Sequence, residues 1–313
     1  MGRKLCIFGG GGFLGSAIID KLLSEGWNLR VFERPGVLPH RSFGADEAVE
    51  WVEGDFANAK DISPAVHGMD AVLHLISTTR PKDSNADPVG DVQSNLLSSI
   101  QLLEVLRAEG PKKIVFISSG GTVYGEPQFV PITEDHPTNP LNSYGIVKLA
   151  IEKYLSLYRI LWGLRPVILR VANPYGERQK VRASQGVVAA FVECALKRQP
   201  IHIWGDGSIV RDYLHVTDVA NACACALRYN GCEEIFNIGS GAGVSLTTLV
   251  ELLEGICSRH LEVVHCDGRV FDVHSNVLCI NRAREELGWH PEINMCEGLS
   301  RTLHWLESQQ PER

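Results

Sequence analysis

Along the first half of the chain, short apolar runs alternate with longer stretches in which apolar residues recur at helical spacing. The runs KLCIFGG from Lys4, NLRVFE from Asn28, AVLHLI from Ala71, KKIVFISS from Lys112 and RPVILRV from Arg165 are mostly apolar and rich in β-branched residues. Runs of that length and composition predict buried strands. Between them lie FLGSAIIDKLLSEG, NLLSSIQLLEVLRAEG and SYGIVKLAIEKYLSLYRILWG, which carry the helical period and end near Gly. Repeated strand–helix alternation predicts an α/β fold, a doubly wound parallel sheet of Rossmann type with helices on both faces. After about Asn173 the alternation loosens into shorter elements with Pro- and Gly-rich turns, which read as a smaller C-terminal α/β lobe. EEIFNIG from Glu233 reads as a late strand returning to the main sheet. The expected division is residues 1–172 with about 212–240 for the Rossmann domain, and about 173–211 with 241–313 for a substrate lobe.

The helix from Tyr144 has little polar surface: Ile146, Val147, Leu149, Ala150, Ile151, Tyr154, Leu155, Leu157 and Tyr158 spread around it. A helix apolar on more than one side must be covered on more than one side. One side is expected to face the sheet and another a second copy of the chain, giving a homodimer packed through this helix and the preceding one.

Gly9-Gly10-Gly11-Gly12-Phe13-Leu14-Gly15 follows the first strand and opens the first helix. A turn this tight needs residues that accept positive φ and place no Cβ between backbone and ligand. The amides at the helix start, from Gly12 through Phe13 and Leu14, then face the pyrophosphate of a dinucleotide. Glu33 ends the second strand roughly 20 residues further on, the place for a carboxylate on the adenosine ribose hydroxyls. It would repel a ribose 2′-phosphate and so favours NAD over NADP, although Arg34 beside it could receive that phosphate.

Tyr144-Gly145-Ile146-Val147-Lys148 sets a phenol and an ammonium four residues apart, stacked on one helix face. A phenol with its ordinary pKa near 10 is a poor base at neutral pH. The ammonium and the positive charge of an oxidised nicotinamide both favour phenolate, so Tyr144 is expected to be pulled toward neutrality as acid/base.

At these residues the chain resembles the extended short-chain dehydrogenase/reductases, specifically their nucleotide-sugar epimerase/dehydratase group. The matching segments are GGGGFLG, Gly54-Asp55-Phe56, His74-Leu75, Asn95, SSGGTVYG, SYGIVK, LRVANPYG, WGDGSIVRDYLHVTDVA, FNIGSG and ELGWHP. The resemblance implies that Asp55 contacts adenine and that Lys148 bonds the nicotinamide ribose. It also places Phe56, Leu75, Ile76, Asn95 and Ser118 around the cofactor. Asn173, Arg211 and Arg269 are implied to hold the sugar diphosphate, with Val188 also on the substrate side. The implied reaction is 4-epimerisation of a UDP-hexose, N-acetylated or uronic in some variants, through a transient 4-keto sugar and bound NAD.

Departures from the pattern matter as much. The group has Ser or Thr four residues before the Tyr of its VYG, where this chain has Gly120. The hydroxyl is expected from Thr122 first and Ser119 second. Thr122 stands where related dehydratases and decarboxylases carry an acid, which favours simple epimerisation or a reductase. Ile76-Ser77 replaces the usual paired alanines, altering the wall beside the nicotinamide. Asn276 falls where glucose-specific relatives carry a bulky Tyr, which would leave room for an N-acetyl group. Arg80, Arg178 and Arg182 are candidate receptors for a sugar carboxylate.

Composition narrows the remainder. A 313-residue chain with 44% apolar and 21% charged residues is an ordinary globular protein. Its formal charge of −7 argues against nucleic acid or an anionic membrane as partner. The nine cysteines form no CxxC pair and sit mostly among apolar residues, as free thiols in a reducing cytoplasm do. No signal peptide and no membrane span is expected. The histidines lack metal-ligand spacing, and His74 and His215 read as packing residues. Two alternatives stay open: a nucleotide-sugar reductase or dehydrogenase with net dinucleotide consumption, and a non-catalytic dinucleotide sensor.

Overall fold

The computed structural model describes residues 2–179, 186–267 and 273–309. Its strands are β1 (Lys4–Phe8), β2 (Asn28–Glu33), β3 (Val49–Glu53), β4 (Ala71–His74), β5 (Lys113–Ser119), β6 (Arg165–Val171), β7 (Asn173–Tyr175), β8 (Ile201–Trp204), β9 (Val210–His215), β10 (Ile235–Ile238), β11 (Gly243–Ser245), β12 (Val263–Cys266) and β13 (Ser275–Asn276). Among the described residues the main sheet runs β3-β2-β1-β4-β5-β6-β10, every pair parallel. The strand order turns back between β1 and β4, and the crevice above that point is where open α/β sheets bind ligands.

The helices are α1 (Phe13–Ser24), α2 (Ala59–Val66), α3 (Pro88–Asp91), α4 (Ser98–Ala108), α5 (Ser143–Trp162), α6 (Val187–Lys197), α7 (Val216–Arg228), α8 (Leu246–Cys257), α9 (Asn281–Leu287) and α10 (Met295–Ser308). Alternation along β1 divides the core. Leu5 and Ile7 join the layer under α1, α7 and α9, whereas Cys6 and Phe8 join the layer under α2, α4 and α5. Strands buried on both faces explain the uninterrupted apolar runs of the sequence. β3 and α2 were not among the sequence-predicted elements.

The C-terminal lobe has its own core, with Val188, Phe191 and Val192 of α6, Leu249 and Leu253 of α8, and Leu299 of α10. Its central strand β9 pairs antiparallel with β11 and parallel with β7 and β13. Ile280, Ala283 and Trp289 pack in the large core instead. The Trp289 indole donates to the Asp218 carbonyl on α7 at 3.0 Å, so the stretch around α9 sides with the Rossmann layers.

Helix α5 is cut by clear end signals. Asn142 caps it by accepting the Gly145 amide, and Gly163 closes it at φ 67°. Val147, Ile151 and Leu155 are buried against the sheet, while Ile146, Leu157, Ile160 and Leu161 are exposed. Between α3 and α4 the segment Val92–Leu97 is wound as a π-helix. Among the described residues no helix is long and apolar enough to cross a membrane.

Candidate active site

The turn after β1 has three kinds of glycine contact. Gly9 sits at φ 89°, and a Cβ there would lie 3.0 Å from the Ile76 backbone nitrogen. A Cβ on Gly15 would come within 2.3 Å of the Gly10 carbonyl oxygen, so α1 lies tight against the turn. Gly12 is open, its nearest neighbour 3.8 Å away. Gly12 also caps α1, no side chain bonds the cap, and the first helical turn holds no acidic residue. Amides of a helix start, aimed outward over a surface without a Cβ, fit a pyrophosphate. The Glu33 carboxylate accepts the Gly11 amide at 2.6 Å. Burial lifts its pKa, and the Gly11 and Arg34 amides pull it back. The Arg34 side chain is exposed.

The rest of the expected cofactor wall gathers at the same sheet edge. Asp55 is exposed in a turn, its carboxylate accepting the Ala57 amide at 2.9 Å. Phe56 lies against the Phe8 and His74 rings. The Leu75 amide donates to the Phe8 carbonyl at 2.9 Å, and Ile76 covers Gly9. Two residues have other engagements. Asn95 is spent internally: its carbonyl accepts the Thr78 amide at 2.9 Å and its NH2 donates to Thr78 and Asp91. The Ser118 hydroxyl points into the protein, donating to Glu152 at 2.5 Å.

Lys148 is buried beside Tyr144. Its ammonium donates to the Ile117 carbonyl at 2.9 Å and lies 5.7 Å from the centre of the Tyr144 ring. Burial lowers its pKa to about 8, against the charges of Glu152 and Asp91. One turn on, Glu152 forms a buried ion pair with Arg170 at 2.6 Å, and Arg170 also donates to the Tyr124 hydroxyl at 2.9 Å. The loop Ser118–Tyr124 is thereby tied to α5 and β6 by interior polar groups.

The expected pull of Tyr144 toward neutrality counted on the nicotinamide charge as well as the ammonium. In the protein alone, burial pushes its pKa up to about 12, and the Ser77 and Ser119 hydroxyls act to lower it. Thr122 Oγ1 is buried with no hydrogen-bond partner among the described residues, and Thr122 Cβ packs against Gly145. Of the two expected partners, Ser119 is the one whose hydroxyl acts to lower the Tyr144 pKa. A side chain at Gly120 has no room, because its Cβ would fall 2.6 Å from Leu278 Cδ1 and 3.0 Å from the Arg170 carbonyl oxygen.

The substrate-side candidates are drawn together on the small sheet. Arg211 of β9 and Asn276 of β13 are register partners, and Asn173 of β7 pairs with Tyr213. Asn173 Nδ2 donates to the Asp212 carbonyl at 3.0 Å, and its Oδ1 faces Gly121 alongside Ser119 Oγ. Asn276 is buried beneath the loop, donating to the Gly120 carbonyl at 3.2 Å. Val188 is a correction: its side chain is 1% exposed in the lobe core, held there by helix packing, and so presents nothing to the cleft. Arg178 is another, because Asp20 on α1 holds its guanidinium at 2.6 Å. The carbonyl of Arg80 accepts the Asp83 and Ser84 amides. Arg182 and Arg269 lie outside the described residues.

His74 and His215 are packing residues. His74 Nε2 meets Ser99 Oγ at 2.8 Å, and burial drives its pKa down to about 3. His215 Nε2 faces Glu177 at 3.1 Å. Sequence reasoning missed Asp91, Glu152 and Arg170.

Comparison with known proteins agrees with this geometry. Residues 5–239 match the model of the NAD dependent epimerase/dehydratase family. The structure of a UDP-glucose 4-epimerase with UDP-glucose from Thermotoga maritima superposes with a TM-score of 0.91 at 34% identity, covering 98% of this chain and 99% of that one. A Thermus thermophilus UDP-glucose 4-epimerase in complex with NAD gives 0.89 at 32% identity, covering 98% and 100%. An Escherichia coli dTDP-4-dehydro-6-deoxyglucose reductase is 32% identical over 95% of each chain. With a Gly-rich turn at the sheet's reversal and Tyr144 over Lys148 beside it, the chain belongs to the NAD dependent epimerase/dehydratase family.

Proposed function

We propose that this protein is an NAD-dependent 4-epimerase of UDP-linked hexoses with Tyr144 as its acid/base. The observation that carries the reading is Lys148 buried one turn along the helix from Tyr144, its ammonium 5.7 Å from the centre of the phenol ring. In this reading the α1 amides of Phe13 and Leu14 bind the pyrophosphate, and Glu33 bonds the adenosine ribose and disfavours a 2′-phosphate. Lys148, tied to Ile117 by one N–H, keeps its other two for the nicotinamide ribose. When bound, the oxidised nicotinamide supplies a reversible two-electron acceptor and a positive charge that favours the phenolate. Tyr144 then takes the C4 hydroxyl proton and returns it after the 4-keto sugar has turned. Asn173 and Arg211, both on the small sheet, are assigned to the sugar diphosphate, and Arg269 is assigned with them from the sequence.

The division into a cofactor domain and a substrate lobe follows the two separate cores. A homodimer is supported by the exposed apolar face of α5. A cytoplasmic location is supported by nine cysteines that are all free.

Incubation with UDP-glucose, UDP-N-acetylglucosamine and UDP-glucuronate, read by NMR, should show inversion at C4 in at least one sugar. Tyr144→Phe should lower that rate about 10²–10⁴-fold while NAD still binds. Full activity in Tyr144→Phe would sink the assignment. The reductase-named relative favours one second reading, net reduction of a keto-sugar. A stoichiometric change in nicotinamide absorbance during turnover would identify it, and its absence during C4 inversion would exclude it.

A further inference from the structure

We propose that Asp91, with Ser84 and Asn85 on the same connection, positions Tyr144 by tying the first turn of α5 to the wall of the cofactor site. The proposal rests on the reading of Tyr144 as acid/base and adds the residues that aim it.

Two sets of hydrogen bonds carry it. The first meets at the buried Asp91 carboxylate. Thr79 Oγ1 donates to its Oδ1 at 2.7 Å and Asn95 Nδ2 to the same oxygen at 2.9 Å, while Ser143 Oγ donates to its Oδ2 at 2.6 Å. Three segments therefore converge on one side chain: the loop after β4, the π-helical turn and the start of α5. The second set covers amides that a helix start leaves without intrahelical partners. Asn142 takes the Gly145 amide at 2.8 Å. The Ser143 amide donates to Asn85 Oδ1 at 2.9 Å, and the Tyr144 amide donates to Ser84 Oγ at 3.1 Å. Ser84 is itself buried, and its hydroxyl hydrogen goes to the Pro81 carbonyl at 3.3 Å. The lone pair that receives the Tyr144 amide is thereby held in place.

The consequence is geometric. Proton transfer at the sugar and hydride transfer to the nicotinamide need Tyr144 and the cofactor in one fixed relation. Ile76 packs on Gly9 of the Gly-rich turn, and three residues further on Thr79 bonds Asp91. Ser143, bonded to the other oxygen of Asp91, immediately precedes Tyr144. The cofactor turn and the acid/base are thus joined by a short path with one buried carboxylate at its centre. Hydrogen bonds to a carboxylate are stronger than those between neutral groups, which makes the joint stiff. The three residues act through the place they give Tyr144.

The test has two arms, both in NAD-loaded protein. In the first, amide hydrogen exchange is followed by NMR without sugar. Ser84→Ala should speed exchange of the Tyr144 amide about tenfold, and Asp91→Ala should speed both Ser143 and Tyr144, with Ile151 deeper in α5 unchanged. In the second, Asp91→Ala should lower kcat, counted per bound NAD, about 10–100-fold with KM little changed. Asp91→Asn keeps an oxygen for Thr79 and offers an NH2 to Ser143 Oγ, and it should restore most of the rate. A lesion that only unfolds part of the sample would lower NAD content and rate together and leave kcat per bound NAD at the wild-type value. Unchanged exchange in both alanine variants overturns the proposal, and so does faster exchange with wild-type kcat. The exchange arm uses no sugar: a wild-type protein that inverts no C4 sinks the epimerase reading, while the exchange rates still decide the positioning.

Discussion

Gly120 and Leu278 occupy one another's space, and that exchange sets what the loop beside Tyr144 can carry. Gly120→Ser, which restores the family hydroxyl on paper, drives its Cβ 2.6 Å from Leu278 Cδ1 and against the Arg170 carbonyl at 3.0 Å. Overpacking of that kind costs about 1–3 kcal/mol, and the loop beside Tyr144 would have to shift to relieve it. Gly120→Ser should therefore lower both the thermal midpoint and kcat. Adding Leu278→Ala should recover part of the thermal loss, and strictly additive effects in that double-mutant cycle would show the two positions uncoupled. The gap at Gly120 was legible in the sequence, but its remedy was not. Thr122 and Ser119 differ by which way a loop of seven residues turns each hydroxyl. Leu278, the residue that decides the room, lies 158 positions away in sequence. Asn276 shows the same limit: its position was legible, while its engagement with the Gly120 carbonyl depends on β13 pairing with β9.

Helix α5 serves two surfaces at once. Its inner face delivers Tyr144, Lys148 and Glu152 at four-residue intervals, and its outer face leaves Ile160 at 75% and Leu161 at 56% exposure. In a dimer packed on that face, Ile160→Glu with Leu161→Glu should convert the dimer to a monomer in multi-angle light scattering. A wild-type protein that is already monomeric would overturn the proposed interface. The apolar excess of this helix was visible at once, because it spans five turns and has unambiguous caps. Other elements were hidden for physical reasons. β3 reads Val-Glu-Trp-Val-Glu and is only half buried at the sheet edge, and α2 is eight residues long with Pro64 inside. The π-helical turn at Val92–Leu97 breaks the 3.6-residue period on which helix reading depends, and it carries Asn95, which is buried.

At the scale of the whole molecule, His74 couples stability to pH. Ser99 Oγ gives its hydrogen to the Asn95 carbonyl at 2.6 Å, so His74 Nε2 must be the donor to Ser99. Burial keeps the ring neutral at ordinary pH, with Nδ1 buried and without a partner among the described residues. Its pKa falls from 6.5 in the unfolded chain to about 3 in the fold. A depressed pKa contributes stability that is fully present above about 6.5 and is lost as pH falls toward 3. The full loss is on the order of 5 kcal/mol. His74→Phe keeps a ring between Phe56 and Phe116 and removes the titration. Urea midpoints at pH 7 and pH 4 should fall less between the two conditions in His74→Phe than in wild type. Equal falls would place the acid sensitivity elsewhere.

The doubly wound sheet was the most legible feature because its strands are buried on both faces and declare themselves as apolar runs. The return of the chain through α7, β10 and α9 was only partly legible, since EEIFNIG is one short run among turns. That return has a consequence for how such a molecule can be rebuilt. A fragment ending at Ala172 would lack β10 and leave β6 as a bare edge, an invitation to pair with other chains. The lobe likewise has no pair of neighbouring breakpoints, because β9, β11, β13 and α10 come from stretches interleaved with the sheet's own. It cannot be exchanged as a cassette. New sugar preference in this architecture is reached by editing side chains where they stand, with both bodies inherited together.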